Sequence, residues 1–209
     1  MKKIHPFLFY LINSNILVAL CVLSLTISTE ILFETSNYKI SQFVFFSTLF
    51  TYNFQRISRI KNNYNHIKKK WLEDNRIIVF IIMIIGIVMS LYRFLDFKST
   101  TQVAIIFTGI VSILYSYGLR RIPYAKLFII SLIWTISTMY LLILENDIPL
   151  TYNLILNLLT RFLFVIAITI PFDIRDIPFD KRELKTIPTR FGIYKSKIIS
   201  IITLFLAEI

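Results

Sequence analysis

The chain has 209 residues, 56% of them hydrophobic, with a formal net charge of +11 and a single cysteine. Its apolar residues come in long blocks rather than the short periodic runs of an ordinary soluble domain, which argues against a water-soluble fold. The basic residues are scattered between those blocks instead of forming one basic face, which argues against nucleic acid as a partner. Cys21 alone supplies neither an intramolecular disulfide nor a cysteine metal site.

In chain order, six blocks read as spans: residues 7–29, 40–54, 77–95, 103–119, 127–144 and 150–171. A bilayer crossing takes roughly 20 apolar residues, so the second block must borrow from its flanks. The first runs on to Thr29, too long for the apolar core of a cleavable signal. A seventh block starts near Ile193, but only 198–207 are free of charge, which is too few for a full span. It reads either as the start of a helix in a fragment or as a half-span packed against the others. Lipid leaves no partner for unpaired backbone groups, so blocks of this composition are helices; barrel strands would alternate apolar and polar residues. The expected fold is all-α: a polytopic transmembrane helical bundle of six full spans plus a partial seventh. No internal repeat or linker divides it, so residues 1–209 read as one integral membrane domain.

Orientation follows from Lys and Arg. With a cytoplasmic N-terminus, 19 of the 23 basic residues fall on the cytoplasmic side: Lys2, Lys3 and those in 55–76, 119–126 and 172–197. Only Lys39, Arg93 and Lys98 fall outside, while Arg161 lies within a span. A charge that deep should face the bundle interior or find a partner. Lys68, Lys69 and Lys70 read as surface charges near anionic lipid. Membrane lipid is therefore an expected partner.

The densest chemistry is Pro171-Phe172-Asp173-Ile174-Arg175-Asp176-Ile177-Pro178-Phe179-Asp180-Lys181-Arg182. Three of the chain's six aspartates stand here at i, i+3 and i+7, a spacing that shares one helical face. Pro171 and Pro178 predict a break or kink in that helix. Clustered carboxylates repel unless a cation holds them, and Mg²⁺ is commonly bound by one or two carboxylates with substrate phosphates. The interleaved bases, Lys181 among them, suit phosphate oxygens. The alternative is a solvated loop with ordinary exposed ion pairs. Arg120, Arg121 and Lys126 form a second short basic turn, explained as well by topology as by phosphate.

The stretch from Pro171 to Gly192 resembles the second aspartate-rich motif of the UbiA superfamily of intramembrane prenyltransferases. Asp173, Asp176 and Asp180 match its three acids, and Thr186, Pro188 and Gly192 match the positions that trail it. The stretch 114–126 and Trp134 are similar to the family's fourth-to-fifth helix connection and the helix after it. The resemblance implies a helical bundle around a lipid-facing cavity that moves an isoprenyl group from its diphosphate to an acceptor. It makes Asp173, Asp176 and Asp180 catalytic, with Asp173 and Asp176 as ligands of Mg²⁺. Departure of diphosphate would leave an allylic cation in a water-poor chamber, with metal and basic residues stabilising the leaving charge. The acceptor stays unknown.

The family's first aspartate-rich motif has no acidic counterpart here. Its place reads Tyr52-Asn53-Phe54-Gln55-Arg56-Ile57-Ser58-Arg59-Ile60-Lys61, in which only Asn53 matches. Asn53, Arg56, Arg120, Arg121 and Lys181 are therefore the expected diphosphate contacts. The same departure motivates a second expectation: a catalytically inactive member of the fold that binds lipid or a partner.

Overall fold

The computed structural model describes residues 5–35, 37–61, 69–117, 122–180 and 185–208. Every regular element among them is helical: α1 (Pro6–Asn13), α2 (Ile16–Leu32), α3 (Lys39–Lys61), α4 (Lys69–Asp74), α5 (Arg76–Leu95), α6 (Ser99–Tyr117), α7 (Ala125–Thr135), a π-helical segment (Ile136–Tyr140), α8 (Leu141–Glu145), α9 (Tyr152–Asp180) and α10 (Ile187–Leu206). The chain divides into two compact units, Met1–Gln102 and Val103–Ile209.

In the first unit, α3 packs against both α2 and α5. The apolar run of residues 7–29 is not one rod. Asn15 takes a left-handed conformation (φ 63°), and the axis turns by 75° between α1 and α2. Asparagine tolerates that conformation better than a branched residue does. The hydroxyls carried by α2 are satisfied within the helix: Thr26 Oγ1 donates to Val22 O at 2.9 Å, and Thr29 Oγ1 to Leu25 O at 3.1 Å. Polar side chains can thus sit in an apolar helix without leaving donors unmet. α5 lies close on α3 because Gly86 has no Cβ; an added one would stand 2.9 Å from Phe46 O and 3.1 Å from Phe50 N. The far face of α5 exposes Ile77, Phe80, Ile81, Val88 and Leu91, a continuous apolar surface suited to lipid.

In the second unit, α9 packs against α7 on one side and α10 on the other. Leu127, Ile166 and Ile170 form the core there, with Phe162, Ile174, Ile187 and Ile199 packed around it. Contrary to the expected break, α9 is continuous through both prolines. Pro171 has no N–H for the carbonyl of Ala167, four residues back. Ser200 of α10 replaces it, donating Oγ to Ala167 O at 2.8 Å. α10 starts at Ile187, earlier than the block near Ile193 suggested, behind a Thr186 capping box. It bends at Gly192, whose φ of 79° and ψ of 169° lie in a region essentially restricted to glycine.

The six spans expected are not all found. Among the described residues, three helices are long and apolar enough to cross a membrane, Arg76–Leu95, Ala125–Glu145 and Tyr152–Ile177, or four if the bent α1–α2 pair is one span. α3 has the length, but Gln42, Gln55, Arg56, Arg59 and Lys61 make it too polar. The apolar stretch of α6, Ser99–Tyr115, falls short of a full crossing. α10 carries Arg190, Lys195 and Lys197 and does not qualify either. An all-helical chain with three to four membrane-competent helices is therefore the architecture observed.

Candidate functional site

The acidic face of α9 begins where its apolar stretch ends. Asp173 is buried, 1% exposed, and points toward the start of α7, where Lys126 Nζ lies 2.6 Å from its Oδ1. Lys126 is itself 9% exposed, so this is a buried ion pair joining two helices. Asp176, one turn further on, is half-buried, and Arg175 grips it edge-on: Nε to Oδ1 at 2.8 Å and Nη2 to Oδ2 at 3.2 Å. The Arg175 guanidinium also lies over the Phe172 ring, 5.3 Å from its centre. Asp180 is the last residue of α9, and its side chain lies outside what is described. The unbroken helix thus brings Asp173 and Asp176 together on one face, and each carboxylate meets a cation. Among the described residues no group of three His, Cys, Asp or Glu side chains is arranged to hold a metal ion.

Lys126 is the residue that sequence reasoning undervalued. It was grouped with Arg120 and Arg121 as a turn, yet it sits inside α7, one residue from the helix start. The available signal was its position next to Leu127, at the head of an apolar helix where an unpaired ammonium would be costly. Arg120, Arg121 and Lys181 lie outside the described residues.

Asn53 and Arg56 belong to a buried polar knot in the first unit. Asn53 Nδ2 donates to Ser14 O at 3.0 Å and to Leu49 O at 2.9 Å, while its Oδ1 accepts from Asn15 Nδ2 at 3.0 Å. The Arg56 guanidinium donates to Asn13 O and to Asn15 Oδ1. The break between α1 and α2 leaves carbonyls without helical donors, and these two side chains of α3 supply them. Asn13 and Asn15 are the other half of this knot, and the Asn-Ser-Asn run inside an apolar block was its sequence signal.

Arg161 is half-buried within α9. At the start of α10, Arg190 Nη1 donates to Tyr124 Oη at 2.8 Å. That bond holds the guanidinium pKa above the ordinary arginine value. Comparisons with protein-family models, curated proteins and solved structures found no match to this chain.

Proposed function

We propose that this chain is a multi-pass integral membrane protein, with its N-terminus and the acidic end of α9 on the cytoplasmic side, that handles an isoprenyl diphosphate in the manner of a prenyltransferase. The observation that carries the reading is the placement of Asp173 and Asp176 one turn apart on an unbroken helix, at the C-terminal end of its membrane-competent stretch Tyr152–Ile177. A diphosphate headgroup meets water at such a place while its isoprenyl tail lies along apolar helices. The resemblance of residues 171–192 to the second prenyltransferase motif supplies the reaction class: transfer of the isoprenyl group to an acceptor.

The carboxylates differ in their fitness for Mg²⁺. Asp176 suits it, because its partner Arg175 is largely exposed and an exposed pair is weak. One carboxylate with water and phosphate oxygens is an ordinary magnesium environment. Asp173 does not offer a free carboxylate, since Lys126 occupies it in a buried setting. Mg²⁺, when bound, would neutralise charge on the departing diphosphate. Asp173 and Lys126 would then act by fixing the end of α9 against α7, which orients Asp176.

A second reading is favoured by the polar knot. Asn53 and Arg56 are engaged in closing the α1–α2 break, so these two side chains do not stand ready in place of the acids of a first motif. A non-catalytic membrane protein of the same fold, binding lipid or a partner, follows from that.

The test is Mg²⁺-dependent transfer from a labelled isoprenyl diphosphate, using the chain in nanodiscs with membrane extract as acceptor source. Asp176→Ala should lower the rate at least 100-fold with little loss of thermal stability. Equal turnover by Asp176→Ala and wild type would remove the site assignment. Binding of the labelled diphosphate without any turnover would favour the second reading.

A further inference from the structure

The second unit contains another polar site, built from side chains that the acidic face of α9 does not use. A cavity of about 300 Å³ is lined by Tyr124, Lys185, Thr189 and Arg190. Among the described residues, two cations line it and no carboxylate does.

Its walls are held in place from several directions. Tyr124 adopts a left-handed backbone (φ 62°), and its N–H donates to Lys185 O at 2.9 Å, tying the start of α7 to the approach to α10. The Thr186 capping box then fixes the next turn: Thr186 N donates to Thr189 Oγ1 at 2.8 Å. The Thr189 hydroxyl returns a bond to Thr186 O at 2.9 Å, so it shapes the wall rather than offering a donor. Arg190 is held by the Tyr124 hydroxyl and lies 5.5 Å from the Phe191 ring centre and 5.9 Å from that of Tyr124. One of its five N–H donors serves Tyr124.

A held guanidinium and an exposed ammonium lining one cavity match a phosphate group. The volume is at the low end for small-molecule sites, so it takes a headgroup rather than a whole ligand. Its neighbours in sequence are apolar and exposed: Ile122, Phe191 and Ile193. A soluble phosphate has no use for such a rim, whereas acyl chains do. Basic pockets beside membrane helices are the usual way to hold anionic headgroups.

We propose that Lys185 and Arg190 bind the phosphate of an anionic phospholipid, whose acyl chains run over Ile122, Phe191 and Ile193. Lys185 and Arg190 lie within 171–192, the stretch on which the prenyltransferase reading also draws, but the lipid site does not require that reaction.

The test uses the full chain in mild detergent, offered phosphatidic acid, phosphatidylglycerol or phosphatidylcholine, with retained lipid counted by native mass spectrometry. The two anionic lipids should be retained at least fivefold over phosphatidylcholine. Lys185→Gln, whose side chain is exposed, should weaken that preference without lowering the melting temperature, and Lys185→Gln with Arg190→Gln should abolish it. Tyr124→Phe keeps the ring but releases the guanidinium, and should reduce retention two- to threefold. Asp176→Ala should leave the preference intact, which separates this site from the acidic face. Undiminished preference in the double variant would overturn the proposal. Displacement of phosphatidic acid by equal concentrations of inorganic phosphate would also overturn it, by making the cavity a site for soluble anions.

Discussion

Replacing Lys126 by Met tests how the acidic end of α9 is built. The substitution keeps the length of the side chain and removes its charge, leaving the Asp173 carboxylate at 1% exposure without the ammonium 2.6 Å away. Breaking a buried ion pair from one side costs about 3–5 kcal/mol, because the remaining charge loses its close counter-ion in a poorly solvated place. At roughly 2–4 °C per kcal/mol for a chain of this size, the melting temperature should fall by about 6–20 °C. Asp173→Leu should cost a similar amount, since it strands the ammonium instead. Combining Lys126→Met with Asp173→Leu removes both charges and should recover most of the loss, as apolar replacement of a whole buried pair is often neutral or stabilising. Thermal unfolding of the four proteins in one detergent, monitored by tryptophan fluorescence, closes the cycle. Single variants that each lose less than about 1 kcal/mol, the range of an exposed pair, would refute the reasoning. So would a double variant whose loss is the sum of the two, since additivity means the groups do not interact.

Further substitutions probe the helix contacts. Gly86→Ala should destabilise the α3–α5 contact by about 1–3 kcal/mol, because the new methyl meets the Phe46 and Phe50 backbone, which cannot rotate away. Gly109→Ala, where nothing lies within 4 Å, is the control and should leave thermal stability unchanged or raise it by up to about 1 kcal/mol. Ser200→Ala should cost about 1 kcal/mol by stranding Ala167 O, and much less in a Pro171→Ala background, where the helix regains its own N–H; melting curves of both pairs decide it. Asn53→Leu should lower stability by about 2–3 kcal/mol through its lost bonds to Ser14, Leu49 and Asn15. Its affinity for an isoprenyl diphosphate, measured by equilibrium binding in nanodiscs, should stay within twofold of wild type; a selective tenfold loss of affinity in a stably folded variant would make Asn53 a ligand.

Where the structure agrees with the sequence, a single strong local signal was sufficient. The uninterrupted apolar run from Ile77 to Leu91 dictates a helix wherever it packs, and α5 is that helix. Asp173 and Asp176 share a helical face because their spacing follows the helical period, whatever surrounds them. The disagreements arise where the partner of a group is distant in sequence. Pro171 predicts a break only if Ala167 O stays unmet, and its donor is 33 residues away on another helix. Apolarity alone cannot reveal a 75° turn inside residues 7–29, since the residues that make it tolerable, Asn53 and Arg56, lie some 40 positions later. Composition likewise treats every base at a span end as a surface charge, whereas Lys126 is committed to Asp173 across 47 positions. Asn53, Arg56 and Asp173 are of the types that bind phosphate and metal, which is why the motif resemblance assigns them to a ligand. In an apolar chain the same residue types are also the means of closing breaks and joining helices. The hydrogen bonds of Asn53, Arg56, Asp173 and Lys126 say more about their part in the fold than their spacing does, and Asp176, paired with its exposed neighbour Arg175, is the more available for chemistry of the two described motif carboxylates.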